Sequence, residues 1–205
     1  MSPRRRDAEG TDAAGAGRRE ELLAMAAEVF ASQGYSATTV RKVADAAGIL
    51  GGSLYYHFDS KESMADEILS TFLDDMWAAY DRVLDAGLSA RDTLEAIVVE
   101  SFRSIDKHRP AVVLYQNESK HLATSERFHY LLDSQRRFEE MWLSLLDRGV
   151  KEGAFRADLD RTLIYRFIRD TVWVAANWYQ HGGRLSADDI AKQYLAMFLE
   201  GIRAS

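Results

Sequence analysis

Beyond Ser53 the chain contains a single proline, Pro110, and glycines only at 87, 149, 153, 182, 183 and 201. Helix breakers this sparse leave room for long helices and little else. They divide the sequence into segments of about 60–84, 90–107, 110–122, 125–151, 160–180 and 186–202, each carrying apolar residues at helical spacing. No stretch alternates in the manner of a strand. With three short helical patterns before residue 58, the expectation is an all-α protein of nine helices.

Composition narrows the function classes. The chain has no cysteine, which removes thiolate metal sites, cysteine nucleophiles and disulfide frameworks, and predicts a cytoplasmic setting. No apolar run approaches the roughly 18 residues of a membrane span, and the opening MSPRRRDAEG lacks the apolar core of a signal peptide. Residues 1–17 carry no large apolar side chain after Met1 and read as a mobile arm, with helical patterning from Arg18 onward: Leu22, Met25, Ala26, Val29 and Phe30 form one stripe. The net charge of −6 speaks against a polyanionic partner only until it is divided. Residues 1–61 hold 8 of the 26 Lys and Arg and 8 of the 32 Asp and Glu, so the whole deficit lies in residues 62–205.

The stretch GYSATTVRKVADAAGILGGSLYYHFDSK, residues 34–61, contains two short helical patterns around a turn. Thr38 or Thr39 can cap the first, whose inward positions are Val40, Val43, Ala44 and Ala47, and Gly48 permits the positive φ of a sharp turn. The second pattern, Gly51 to His57, turns Leu54 and Phe58 inward and leaves Ser53, Tyr55, Tyr56 and His57 to face outward. This is the geometry of a helix-turn-helix, whose second helix enters the major groove of DNA. A helical hairpin whose tyrosines merely cover the core is the competing reading.

T-T-V-x-x-V-A-x-A-A-G-I followed by G-S-L-Y-Y-H-F-x-S-K resembles the DNA-binding domain of the TetR family of bacterial repressors. The resemblance implies a DNA-binding domain over 18–61 and an effector-binding and dimerisation domain over 62–205. Thr39, Arg41, Tyr55, Tyr56, His57 and Lys61 are then expected on phosphates, which position the protein without reading sequence. Base reading falls to Lys42, Gly52, Ser53, the Gly51–Gly52 backbone or Tyr55. Many relatives carry a longer polar or basic residue where this chain has Gly51, which predicts sparse direct readout. The Arg4–Arg6 run either enters an adjacent minor groove or is a solvated tail.

The second half is dense in aromatic residues at helical spacing, a composition that can leave an apolar cavity between helices. In YRFIRDTVWVAANWY, residues 165–179, Arg169 and Trp173 stand four apart on one face and can present a guanidinium beside an indole to an anionic ligand with a flat body. Alternatively, Arg169 pairs with Asp170. The blocks AVVLYQNESKHLATSERFHYL and MWLSLLDRGVKEGAFRADLDRTLIYRFIRDTVWVAANWY resemble the actinobacterial TetR-type repressors of late cholesterol catabolism, which control degradation of the C and D rings. That resemblance implies a CoA thioester of a bicyclic steroid fragment as effector and release from the operator on binding. It places Arg169 and Trp173 in an R-D-T-x-W pattern at the ligand, with Arg166, Tyr115 and Trp142 expected beside them and Arg136, Arg137 and Arg148 as further candidates for the phosphates. The last two helices, exposing Val172, Val174, Trp178, Tyr194, Met197, Phe198 and Ile202, are expected to form a homodimer, and two-fold symmetry then predicts a palindromic operator.

An enzyme is the rival class. Glu118 and His121 have the Glu-x-x-His spacing of carboxylate-bridged metal sites in helical bundles, but such sites need a second copy and the sequence has none. Neither a nucleophile elbow nor a phosphate-cradling glycine loop is present. No catalytic residue, resident metal or cofactor is expected.

Overall fold

A computed structural model describes residues 4–202, with side chains described from residue 17 onward. Every element in this range is helical: eight α-helices and two short 3-10 turns. The chain forms two compact units divided between Ser70 and Thr71.

The first unit contains α1 (Arg4–Gln33), α2 (Val40–Ala46), α3 (Gly51–Tyr55) and the first turns of α4 (Lys61–Leu84). The helical backbone of α1 begins at Arg4 and not at Arg18, where the apolar stripe starts. Ala8, Ala13, Ala14 and Ala16 are strong helix formers and carry it across Gly10 and Gly15. Residues 1–3 and the side chains of 4–16 lie outside the described residues, and with them the expected contacts of Arg4 to Arg6. Leu22, Ala26, Val29 and Phe30 are buried as the stripe predicts, whereas Met25 is exposed. The boundary expected after Lys61 falls later because the start of α4 is tied back to its own unit. Arg19 pairs with Glu67, the Tyr35 hydroxyl donates to Glu62 at 3.3 Å, and the Lys61 ammonium donates to the Tyr35 carbonyl at 3.0 Å.

The second unit contains the rest of α4, then α5 (Ala90–Leu122), a 3-10 turn at Glu126–Phe128, α6 (Tyr130–Lys151), α7 (Arg161–Trp173), a second 3-10 turn at Val174–Asn177, and α8 (Ala187–Ile202). Helix α5 is central and packs on α6, α7 and α8. The segments 90–107 and 110–122, expected as two helices, are two helical limbs that meet at a kink, and running them together as α5 turns the nine expected helices into eight. Pro110 has no N–H to continue the ladder and its ring crowds the preceding turn. The strain is absorbed at His108, whose φ of −124° and ψ of 28° leave the helical region. Side chains cap the starts: Ser89 accepts from the Asp92 N–H at 3.1 Å and Asp160 from the Leu163 N–H at 2.7 Å.

The core of this unit includes Leu94, Ile97, Ile105, Leu131, Trp142 and Ile168. Gly149 lets the Phe155 ring lie directly on α6, since a Cβ there would come within 2.0 Å of it. Two buried bonds cross between helices, the Trp77 indole N–H to the Ser134 hydroxyl at 3.0 Å and the Tyr80 and Ser101 hydroxyls at 2.5 Å. No helix among the described residues is long and apolar enough to cross a membrane.

Candidate functional site

Two places carry chemistry, one in each unit. In the first, Thr39 is the residue that caps α2, its hydroxyl accepting the Lys42 N–H at 3.3 Å, while Thr38 is buried and donates to the Gly34 carbonyl at 2.8 Å. Val43 and Ala44 are buried, Gly48 takes a φ of 65°, and the Ile49 N–H closes the turn onto the Ala44 carbonyl at 3.0 Å. The chain is thereby delivered to α3, which ends at Tyr55, earlier than the His57 expected from the sequence; His57 and Phe58 both donate N–H bonds to the Leu54 carbonyl in the turn that follows.

Burying Leu54 and Phe58 turns the opposite face of α3 outward. Gly52, Ser53, Tyr55 and Tyr56 are exposed, Tyr56 at 88%, and the partly buried His57 ring stands edge-on to Tyr56 at 5.2 Å. Arg41 projects into solvent 4.0 Å from Asp45, and the Lys42 ammonium rests on the Ala37 carbonyl at 2.9 Å. Arg41, Asp45, Leu50, Gly51, Gly52 and Tyr55 share one shallow cleft between α2 and α3. Lys61 differs from the free phosphate clamp expected of it: its ammonium sits 4.1 Å from the Tyr35 ring centroid and bonds the Tyr35 carbonyl. It braces the unit and must leave Tyr35 to meet a phosphate directly.

The second place is a cavity of about 1010 Å³ bounded by α4, the second limb of α5, α6 and α7, at the upper end of the usual size for ligand pockets. Its apolar wall is a ring cluster. Phe72 meets Tyr115 at 6.0 Å and Trp173 at 6.1 Å, and Phe138 meets Trp173 at 6.1 Å and Tyr165 at 6.3 Å, all tilted or edge-on. The other wall is polar and mixed in charge, with Ser119, Lys120, His129, Asp133, Gln135, Arg136, Glu139, Arg169 and Asp170. Burial pushes the Tyr115 hydroxyl up to about 12 against hydrogen bonds with Gln135 and Ser134, so it stays a neutral donor at physiological pH. Burial likewise raises Tyr165, opposed by Arg169.

Of the sequence-expected ligand residues, Arg169, Trp173 and Tyr115 line this cavity. Arg166 is exposed and does not. Trp142 does not either. It is 1% exposed in the core behind Phe138, and its indole N–H has no partner among the described residues. The Arg169 guanidinium forms a fork with the Asp170 carboxylate at 2.6 and 3.1 Å, as the alternative reading had it, and lies over Tyr165 at 5.5 Å instead of beside the Trp173 indole. Asp170 raises the pKa of Arg169, and Arg169 lowers that of Asp170. Arg136 lines the cavity and pairs with Asp133. Arg137 and Arg148 are committed elsewhere, Arg137 to Asp81 and the Trp77 ring, Arg148 to the Thr93 hydroxyl. Phe72 and Phe138 stand in the sequence only among the aromatic residues at helical spacing, and His129 and Gln135 carry no sequence signal for this site. The tilt of α4 and α6 that turns them into one space has no local signal.

Glu118 and His121 lie near the end of α5, outside the cavity, and no group of three metal-ligating side chains occurs among the described residues. On α7, α8 and the intervening turn, Leu163, Phe167, Val174, Trp178 and Met197 are exposed, while Phe198 stacks on Tyr194 at 5.6 Å. Val172 and Ile202, expected on this surface, are buried instead; α7 and α8 both pack on α5, and the Ile202 carbonyl accepts the Arg156 N–H at 3.0 Å.

Comparison with known proteins accounts for both units. Residues 22–68 match the model of bacterial regulatory proteins of the tetR family, and residues 87–202 match the tetracyclin repressor-like C-terminal domain. The HTH-type transcriptional repressor KstR2 of Rhodococcus jostii is 54% identical over 186 residues, covering 91% of each chain. KstR2 of Mycobacterium tuberculosis is 49% identical over 185 residues, 90% of this chain and 92% of its own. A solved structure of the ketosteroid transcriptional regulator KstR2 of M. tuberculosis superposes with a TM-score of 0.88 at 48% identity, over 92% of this chain and 96% of that one.

Proposed function

The chain belongs to the TetR family of bacterial transcriptional repressors, and from that premise we propose that it is released from a palindromic operator by an acyl-CoA, the CoA thioester of a steroid-ring fragment. Repressors of the family bind operator DNA and dimerise; they are regulators and not enzymes. The observation that carries the effector reading is the cavity, where Phe72, Tyr115, Phe138 and Trp173 offer a flat apolar body a surface, Lys120, Arg136 and Arg169 offer cations to an anionic tail, and His129 offers a hydrogen-bonding ring. A relative of this chain is named a ketosteroid transcriptional regulator, which supports a steroid-derived body for that ligand. The exposed apolar face of α7 and α8 supports a dimer through those helices.

Release follows from differential affinity for two conformers, since a ligand that binds both equally shifts nothing. Helix α4 is the element through which this acts. It contributes Phe72, Leu73 and Met76 to the cavity, and its first turns belong to the DNA-binding unit. Repression of catabolic genes in the cytoplasm, with induction by an intermediate of the pathway, is the physiological role that matches. Calorimetry with the steroid-fragment CoA thioester, its free acid and free CoA tests the ligand class: the thioester should bind one per cavity and the two fragments far more weakly. A gel shift on the gene's upstream DNA tests the repressor. Tight salt-sensitive binding is expected, and equal affinity for scrambled DNA would overturn it.

A further inference from the structure

Leu50 has no role inside the fold. It is 82% exposed, the only side chain in the turn between α2 and α3 that is both large and apolar and left in solvent, and as the residue preceding α3 it supplies no side-chain cap. A polar residue there would cap α3 and be solvated at no cost. The next two positions are unexplained in the same way. Alanine at Gly51 or Gly52 would meet nothing within 4 Å, and neither glycine has a positive φ, unlike Gly48 in the same turn. Glycine in a helix is less favourable than alanine, so the fold alone gains nothing from this pair.

All three residues become intelligible against the floor of a major groove. They face the same cleft as Arg41 and Tyr55, in the unit whose sequence matches the family's DNA-binding domain. The groove presents one apolar feature, the C5 methyl of thymine. Resting on the DNA-binding reading, we propose that Leu50 is a specificity-determining residue that packs on a thymine methyl in each half-site, and that Gly51 and Gly52 are bare so that the backbone can approach close enough for it to do so. Sequence reading here is then partly apolar, which accounts for a recognition helix with no long polar side chain at its start.

The test uses the full-length protein and operator duplexes, footprinted from the gene's upstream DNA, in which each thymine is replaced in turn by deoxyuridine. That exchange removes one methyl and leaves pairing intact. Wild type should lose roughly fourfold in affinity per methyl at one symmetric pair of positions, the effect of one buried methyl group. Leu50→Ala should bind the normal operator more weakly and show no further loss on the deoxyuridine duplex, with an unchanged melting temperature and unchanged affinity for random DNA. Gly51→Ala should raise the melting temperature while weakening the operator complex. If wild type binds the operator but is indifferent to every methyl, or Leu50→Ala retains the same sensitivity, the proposal is wrong and the DNA-binding reading stands. Failure of wild type to prefer its operator at all would remove both.

Discussion

Replacing Arg169 by methionine separates the ligand role of this residue from its structural one. The substitution keeps an unbranched apolar stem and removes the guanidinium. Within the protein that group is engaged with Asp170, but the pair is 45% and 64% exposed, so its loss should cost under about 1 kcal/mol after solvent screening. For a domain of this size that is a fall in melting temperature of roughly 2–4 °C. Toward an anionic effector the same group would make charge-assisted bonds in a half-enclosed cavity, each contributing about 1.5–3 kcal/mol. At about 1.4 kcal/mol per decade, effector affinity should fall by roughly 10- to 150-fold. Calorimetry with the acyl-CoA gives the first quantity, and fluorescence anisotropy on the operator gives a control that should not move. Asp170→Asn is the companion variant: it releases Arg169 from its competitor, and effector affinity should hold or tighten. Effector affinity within about threefold of wild type in Arg169→Met would refute the assignment, and loss of operator binding together with a large drop in melting temperature would make the residue structural.

Three further outcomes follow from the packing and the charges. Gly149→Ala drives a Cβ into the Phe155 ring at 2.0 Å, and urea unfolding should show a loss of about 1–3 kcal/mol, partly recovered by Phe155→Leu; a neutral result would mean that the ring moves freely. Trp142→Ala should cost about 3–5 kcal/mol of stability, whereas Trp142→Phe, which removes an indole N–H that has no partner among the described residues, should leave effector affinity unchanged because the residue lies behind the cavity wall. Burial lowers the pKa of His108 below 6.5, outweighing its bond to Asp75 at 2.9 Å. The unfolded chain therefore takes up that proton first, so this contribution to stability is complete above pH 6.5 and declines as pH falls from there through the folded value. Chemical denaturation across that window should show the slope, and His108→Asn should flatten it.

Much of this architecture is legible in the sequence because it rests on local rules. Sparse breakers and helical periodicity give the helices. Thr39, Gly48 and Leu54 give the turn and face of the helix-turn-helix. What was not legible depends on tertiary strain and on rotation of elements. Pro110 reads as a boundary and the helix does break beside it, but that the break falls at His108, two residues earlier, is not written in the local pattern. Lys61 reads as a free cation at a helix start, but the Tyr35 ring and carbonyl beside it are brought there by the fold. Trp142 and Tyr115 look alike as aromatic residues at helical spacing, and only the angle of α6 against α5 decides that one is core and the other lines the cavity. Leu50 carried no signal among apolar residues until its exposure was known.

The most direct test of the central claim is a titration of the preformed operator complex, followed by fluorescence anisotropy of labelled DNA, with the CoA thioester of the bicyclic steroid fragment beside free CoA and the free acid. Dissociation of the complex by the thioester at stoichiometry near one per cavity, with the two fragments inert, is the result that the cavity predicts. Persistence of the complex through saturating thioester, or equal release by free CoA, would contradict it.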